Sequence, residues 1–293
     1  MGNGDALQAR VTIVIVTFNS ARVIGECLAA VPPGVKLCLV DNDSRDNTLE
    51  LVRQLRPDAQ IIINPDNLGF GAAVNMGARQ VDTEFVLLLN PDARMDPGTV
   101  ETLVAKADAY PDAAIISPVL FHPDGEQQTS YRLNVFDRDR YPKNYIEPSG
   151  DLCVEFFSGA VMLWRMADIR EIGFFDENFF FTYEDDDLCM RTRLAGKSLI
   201  VTPDASVTHA PGTSTPPTAE IVLKKTRYVM TSRLYMEQKY RGMSAARKMA
   251  VREAVKYFFR TLVYLPLFYK KGILRSYGRY RAAMSFLLST FRA

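Results

Sequence analysis

Four consecutive acids, Glu184, Asp185, Asp186 and Asp187, follow directly on a run rich in aromatics (Phe174, Phe175, Phe179, Phe180, Phe181 and Tyr183). Like charges in a row repel, and folding alone gains nothing by setting them beside so many rings. A helix N-terminus would accommodate one or two of the acids through the macrodipole, with the aromatics as core. It does not account for the whole cluster. Aromatic walls exclude water, which raises a carboxylate's pKa and suits it to take a proton as a general base.

A second set of polar residues has a different pattern. Thr17-Phe18-Asn19-Ser20, Asp41 to Asp46, Asn64 to Gly71 and Asn90-Pro91-Asp92 each follow a short apolar run. One such cluster is ordinary turn chemistry, because Asn and Asp favour turns. Four of them predict a site rich in carboxylates and amides, suited to a metal ion and a polyhydroxylated or phosphorylated ligand. The glycines at 69 and 71 fit neither a P-loop nor a dinucleotide fingerprint.

The elements that must position these groups are legible in outline. Residues 11–16, 35–40, 61–63 and 85–89 read as buried strands, and 22–30, 48–56 and 71–80 as helices between them, with Asp46 or Asn47 capping the second helix. Alternation of this kind predicts an α/β fold with a mostly parallel central sheet and helices on both faces. Ligands then bind beyond the carboxyl ends of the strands, where the polar clusters lie. Further strands are expected at 112–120 and 198–202, a return to buried character at 156–164, and a helix at 166–172. Ser158-Gly159 should set bare backbone against a neighbour, and Trp164 reads as core. The long polar stretch 121–151 and the Ser/Thr/Pro-rich 212–218 read as loops. His122 reads as a solvated turn residue.

Composition narrows the class. With 293 residues, 47% hydrophobic and 24% charged, the chain can bury a substantial core. The net charge of +1 hides an asymmetry: twelve Lys and Arg from Arg241 onward face a single acid, Glu253, so this stretch is +11 and the remainder −10. Helices are expected at 228–239 and 243–264. In the second of these, Lys248, Arg252, Lys256 and Arg260 recur every four residues on one face, among aromatic and aliphatic neighbours. Such a helix suits an anionic membrane interface, the alternative being a helix packed on the acidic body of the protein. No recognition motif accompanies the charge, so nucleic acid is not expected as a partner. The four cysteines show no metal-finger spacing and read as reduced, mostly buried thiols. The first ten residues lack an apolar signal core, and the longest apolar run, Thr261 to Tyr269, is far too short to span a bilayer. A cytoplasmic protein, peripheral at the inner face of the cell membrane, is the expectation.

Four stretches together, VTIVIVTFNS, VDNDSRDNT, NLGFGAAVNMG with LLLNPDA, and FFSGAVM followed by GFFDENFFFTYEDDDLCMR and a later histidine, resemble glycosyltransferase family 2 enzymes of the GT-A type, especially bacterial rhamnosyltransferases. The resemblance covers residues 10 to 215. It implies a GT-A, Rossmann-like nucleotide-diphospho-sugar transferase domain over 1–220, with residues 221–293 as a helical, basic extension. Thr17, Asn19, Asp41, Asn67, Gly69, Asn75 and Asn90 would then line the nucleotide sugar. Asn90-Pro91-Asp92 stands where the family has an Asp-x-Asp motif, so Asp92 would bind the metal, Mg²⁺ or Mn²⁺, with His209 as a further ligand. Asp185 would be the catalytic base, and Glu184 and Asp187 would orient it or contact the acceptor.

The activity implied is an inverting, metal-dependent transfer of a sugar, L-rhamnose from dTDP-L-rhamnose, to a lipid-linked or cell-surface glycan. Transfer of galactofuranose, glucose or N-acetylglucosamine from a UDP-sugar is the alternative within the class. A sugar nucleotidyltransferase would need a Gly-rich, basic triphosphate loop near its start, which VTFNSARVIG lacks. A non-catalytic sugar-nucleotide-binding protein would have no use for Asp185 beside a metal site.

Overall fold

A computed structural model of the chain describes residues 9–132, 148–213 and 218–290. The chain divides into two compact units, one of residues 1–176 with 185–215 and one of 177–184 with 216–293. Residues 177–184, the aromatic lead-in to the acids, thus group with the C-terminal helices.

The first unit is built on a nine-stranded sheet. Its first half alternates strand and helix: β1 (Val11–Thr17), α1 (Ile24–Ala29), β2 (Lys36–Asn42), α2 (Thr48–Leu55), β3 (Gln60–Asn64), α3 (Phe70–Arg79) and β4 (Phe85–Leu89). These four strands pair in parallel, in the order β3-β2-β1-β4. Every residue of β1 and β4 is buried, as β-branched and aliphatic runs covered on both faces require. Asn47 caps α2 without a side-chain bond. Asp46 serves instead from one residue earlier, accepting the Thr48 backbone N–H at 3.1 Å. Gly77 lets α3 lie close on the sheet, since a Cβ there would meet Val14 at 2.9 Å and Val40 at 3.0 Å.

The second half of this unit has more varied pairing. It contains β5 (Ala93–Met95), α4 (Thr99–Ala109), β6 (Ala113–Phe121), β7 (Tyr131–Arg132), β8 (Leu152–Cys153), β9 (Phe156–Phe157), β10 (Val161–Arg165), α5 (Met166–Ile172), α6 (Glu184–Leu194, its first residue grouping with the second unit) and β11 (Ser198–His209). β10 inserts antiparallel between β4 and β6, β11 runs parallel to β6, and β5 pairs antiparallel with the end of β11. β11 continues past Pro203, where the sequence reading stops, because a register shift between Thr202 and Ser206 absorbs the irregular residues. α4 is a helix the sequence reading passed over.

The second unit is three long helices, α7 (Ala219–Arg241), α8 (Met243–Tyr264) and α9 (Lys270–Thr290). Their shared core includes Met230, Leu234, Ala250, Ala254, Tyr257, Ala283 and Leu287. Residues 177–184 join it through aromatics: Phe180 stacks on Tyr228 with centroids 4.1 Å apart, and Phe179 meets Tyr235 edge-on at 4.9 Å. No helix among the described residues is long and apolar enough to cross a membrane.

Candidate active site

The registers bring the polar clusters to one edge of the sheet. Thr17 lies beside Asp41, Asp41 beside Ile63 and Asn42 beside Asn64, so β1, β2 and β3 end together. β10 begins where β4 ends, with the Asn90 N–H donating to Ala160 O at 2.9 Å. β5 and the end of β11 pair at His209 and Ala93.

At the β1–β2 corner the side chains sew two loops together. Asp41, 1% exposed, accepts Thr17 Oγ1 at 2.9 Å and the Ser44 N–H at 2.9 Å. Asn19, at φ +52°, accepts the Arg45 N–H through Oδ1 at 2.8 Å and donates its own N–H to Ser44 Oγ. Thr17 is fully buried, and its hydroxyl supports Asp41. The next corner centres on Asn42, which sequence reasoning did not single out. Its amide donates to Asn67 Oδ1 and Gly69 O and accepts from Asn64 and the Leu68 N–H. Asn67 Oδ1 also takes the Gly69 N–H at 2.9 Å. Gly69 stands at φ +91°, a backbone conformation that favours glycine. A loop held by this many amide bonds is preorganised.

Asn75 does not belong to this set. It is fully buried, and its side chain donates to Phe175 O at 2.9 Å and accepts the Phe175 N–H at 3.0 Å. It fastens α3 to the 174–175 segment, where Phe174 and Phe175 pack on Trp164. Phe175 and Phe179 are buried, whereas Phe174 and Phe180 are half-buried against Trp164 and Tyr228. Four of the six aromatics in the run thus pack on other rings.

The four acids separate by exposure. Glu184, Asp186 and Asp187 are buried, and Asp185 is half-buried. Asp187, with no exposed side-chain surface, binds Arg191 Nε at 2.8 Å. The rest of that guanidinium donates to the carbonyls of Ile172, Gly173 and Phe174. Asp187 thus holds Arg191 against the 172–174 turn. Asp185 accepts a backbone N–H on each oxygen, from Gly159 at 3.0 Å and from Asp186 at 2.9 Å. A Cβ on Gly159 would lie 3.3 Å from Asp185 Cβ, so the bare backbone expected at Ser158-Gly159 is there for this carboxylate.

Asp92 and His209 form the second charged centre. Asp92 Oδ1 lies 3.3 Å from His209 Nε2, with side-chain exposures of 6% and 8%. Gln128, from a loop that gave no sequence signal, orients the ring. Its Nε2 donates to the carbonyls of His209 and Phe121, which leaves Oε1 to accept from His209 Nδ1 at 3.2 Å. With Nδ1 bonded to Gln128, His209 Nε2 is the ring nitrogen turned toward Asp92 Oδ1, so the two side chains converge as a pair of ligands to one cation would. Among the described residues no group of three or more His, Cys, Asp or Glu forms a metal cage. Two donors fit a hard cation whose other positions are filled by substrate phosphate and water. Asn90 contributes backbone here: its carbonyl accepts from Ala93 N and from Cys27 Sγ. Burial, and then the neighbouring Asp92, push the Cys27 thiol far above its ordinary range, so it stays neutral. A cleft of about 210 Å³ opens beside Asp92, with Arg22, Glu26 and Arg94 in its wall.

The family described as Glycosyl transferase family 2 matches residues 12–172. The chain belongs to that family. An N-acetylglucosaminyl-diphospho-decaprenol L-rhamnosyltransferase of Mycobacterium tuberculosis is 28% identical over 236 residues, covering 69% of this chain and 76% of the relative. The rhamnosyltransferase WbbL of Escherichia coli is 27% identical over 145 residues, covering 45% and 54%. Among solved structures, S. aureus TarS 1–349 in complex with UDP-GlcNAc superposes with a TM-score of 0.56 at 16% identity, covering 96% of this chain and 92% of that one. The mannosyltransferase PcManGT from Pyrobaculum calidifontis, solved with GDP-Man and Mn²⁺, gives 0.55 at 15% identity, covering 97% and 75%. The fold is GT-A, and the protein is a glycosyltransferase resembling rhamnosyltransferases.

Proposed function

We propose that the protein transfers a sugar, with inversion, from a nucleoside-diphosphate donor to a lipid-linked saccharide, and that the donor is dTDP-L-rhamnose. The observation that carries the reaction is the pair of centres on one sheet edge: a carboxylate oriented by two backbone N–H groups at Asp185, and two convergent cation donors at Asp92 and His209. Asp185 takes the proton of the attacking acceptor hydroxyl as the new C1–O bond forms. The bond from C1 to the diphosphate oxygen breaks, and the nucleoside diphosphate leaves with the electron pair. One base and one in-line attack invert the anomeric carbon. A divalent metal held by Asp92 and His209 would offset the charge that develops on the diphosphate. Asp41, Asn19 and the Asn67–Gly69 loop are the groups assigned to the nucleotide and its sugar, with Thr17 and Asn42 holding them in place.

The rhamnosyl donor and the polyprenyl-type acceptor rest on the relatives in M. tuberculosis and E. coli. A lipid-linked acceptor puts the enzyme at the inner face of the cell membrane, met by its basic C-terminal helices. Residues 1–220 would carry catalysis and 221–293 attachment.

The test is donor turnover by the purified protein. A panel of dTDP-, UDP- and GDP-sugars is presented with Mg²⁺ or Mn²⁺, with and without a membrane lipid extract, and released nucleoside diphosphate is measured. Release from dTDP-rhamnose that needs metal and rises with the extract is expected. Release from a UDP-sugar alone would keep the chemistry and discard the rhamnosyl assignment.

A further inference from the structure

The helical unit exposes what a water-soluble bundle buries. Along α8, Val251, Val255, Phe258 and Leu262 are all exposed, with Phe259 and Val263 beside them. Their spacing of three and four places them on one side of the helix, about 100° around from the side that Ala250, Ala254 and Tyr257 bury in the core. The ridge continues into the turn before α9, where Leu265, Leu267 and Phe268 are also exposed, Phe268 to 85%. Phe268 holds φ at +50°, a conformation that a bulky residue rarely adopts, and the turn around it is closed by backbone bonds from Phe268 N to Leu265 O and from Tyr269 N to Tyr264 O. The chain accepts local strain at the residue whose ring projects furthest.

The exposed charges around the ridge are of one sign, the acid Glu253 being buried against Arg252 and Lys256. Arg252, Lys256 and Arg260 follow each other at every fourth residue along its flank, and Lys270, Lys271 and Arg275 stand exposed beyond the turn. Tyr264 and Tyr269, with hydroxyls for the polar boundary, frame the apolar tip. An apolar stripe edged by Lys, Arg and Tyr has the form of a helix lying in a membrane interface, with rings and aliphatic chains below the headgroups and cations among the phosphates. A second copy of the chain fits poorly. Each copy carries +11 from residue 241 onward, and apposed ridges would bring these like charges together.

We infer that α8 and the α8–α9 turn form an insertion ridge, in which Phe258, Phe259, Leu262, Leu267 and Phe268 enter the hydrocarbon edge of an anionic bilayer and set the affinity, with the Lys and Arg side chains selecting lipid charge. This rests on the membrane reading above and narrows it from adsorption by charge to insertion.

The full chain would be mixed with vesicles of phosphatidylcholine alone or with phosphatidylglycerol, and binding followed by co-sedimentation. Phe268→Trp adds an indole at the tip, while the single native tryptophan, Trp164, is fully buried in the other unit and serves as the unquenched reference. Lipids brominated on the acyl chain should quench the introduced indole and shift its emission to the blue. Combining Leu267→Ser with Phe268→Ser should weaken partitioning roughly a hundredfold, about tenfold for each buried side chain lost. Both side chains are exposed, so folding is spared, and donor turnover in solution should be unchanged. Binding to anionic vesicles with no quenching, abolished by salt, would overturn insertion and leave adsorption. No binding to any vesicle, with donor turnover intact, would overturn the membrane reading while leaving the transferase reading standing. A dimer in solution that Phe268→Ser dissociates would replace lipid by a second copy.

Discussion

The two units break the usual partition of residues in opposite directions. In the α/β unit, polar side chains are withdrawn from water: Asp41, Asn42, Asn64, Asp186, Asp187 and His209 are all buried at or near the carboxyl edge of the sheet. In the helical unit, apolar side chains are left in water along α8 and the turn after it. Buried polar groups cost free energy unless they are bonded, and exposed apolar groups cost free energy unless something covers them. The first departure is met within the unit by bonds to neighbours: Asp41 by Thr17 and the Ser44 N–H, Asn42 by Asn64 and the Leu68 N–H, Asp187 by Arg191 and His209 by Gln128. The second calls for a partner outside it. A rigid site and an adhesive surface therefore leave opposite marks on the same chain.

If the sheet edge is the site, the largest effect should come from its charged centres. Asp92→Ala is expected to lower turnover about a thousandfold, because charge on the leaving diphosphate is no longer offset. Excess chelator should bring the unaltered enzyme to a similar level, restored by Mg²⁺ or Mn²⁺. Full activity in chelator would break the assignment of Asp92 and His209. Gln128→Leu should raise the metal concentration needed for half-maximal rate by about ten- to a hundredfold, since His209 loses the acceptor that sets its tautomer. It should also lower the melting temperature, because two carbonyls lose their donor. A titration and a thermal melt on the same preparation separate the two effects.

Asn75→Ala sharpens the distinction between site and scaffold. It should cost about 1–3 kcal/mol of stability, as the Phe175 backbone groups are left unbonded, while the folded protein binds donor with unchanged affinity. Denaturant unfolding and calorimetric donor binding would show it, and a large loss of affinity at unchanged stability would return Asn75 to the ligand site. The smallest effect should be that of Val251→Ser, on the exposed face of α8: stability within about 0.5 kcal/mol of the parent and unaltered release of nucleoside diphosphate in solution.

The sequence made the sheet edge legible because turn-forming Asn and Asp followed each buried strand, and strand ends in such folds share one edge. It distinguished poorly between groups on that edge that face a ligand and groups that hold others in place. Thr17, Asn75 and Asp187 have the same residue types as the other candidates, and only the structure shows the bonds their side chains make to Asp41, Phe175 and Arg191. The four acids looked like one unit, yet their exposure differs because a helix turns successive side chains about 100° apart. Gln128 left no trace, being one amide in a polar stretch, joined to His209 by folding across 81 residues of chain. α9 was expected only as part of a helical extension, without bounds, for a related reason: its small residues and scattered bases do not form a single apolar stripe. The basic charge of the C-terminal region was plain, but its exposed ridge was not, since α8 is apolar on two neighbouring faces and periodicity cannot tell which is covered.

The central claim is that Asp185, fixed by the Gly159 and Asp186 N–H groups, is the base. Single-turnover sugar transfer by Asp185→Asn, with donor affinity measured in parallel, tests it most directly. Donor should bind within about twofold of the parent, while the transfer step slows by a factor of about a thousand or more and loses its dependence on pH. Transfer at the parental rate with the same pH dependence would contradict the assignment.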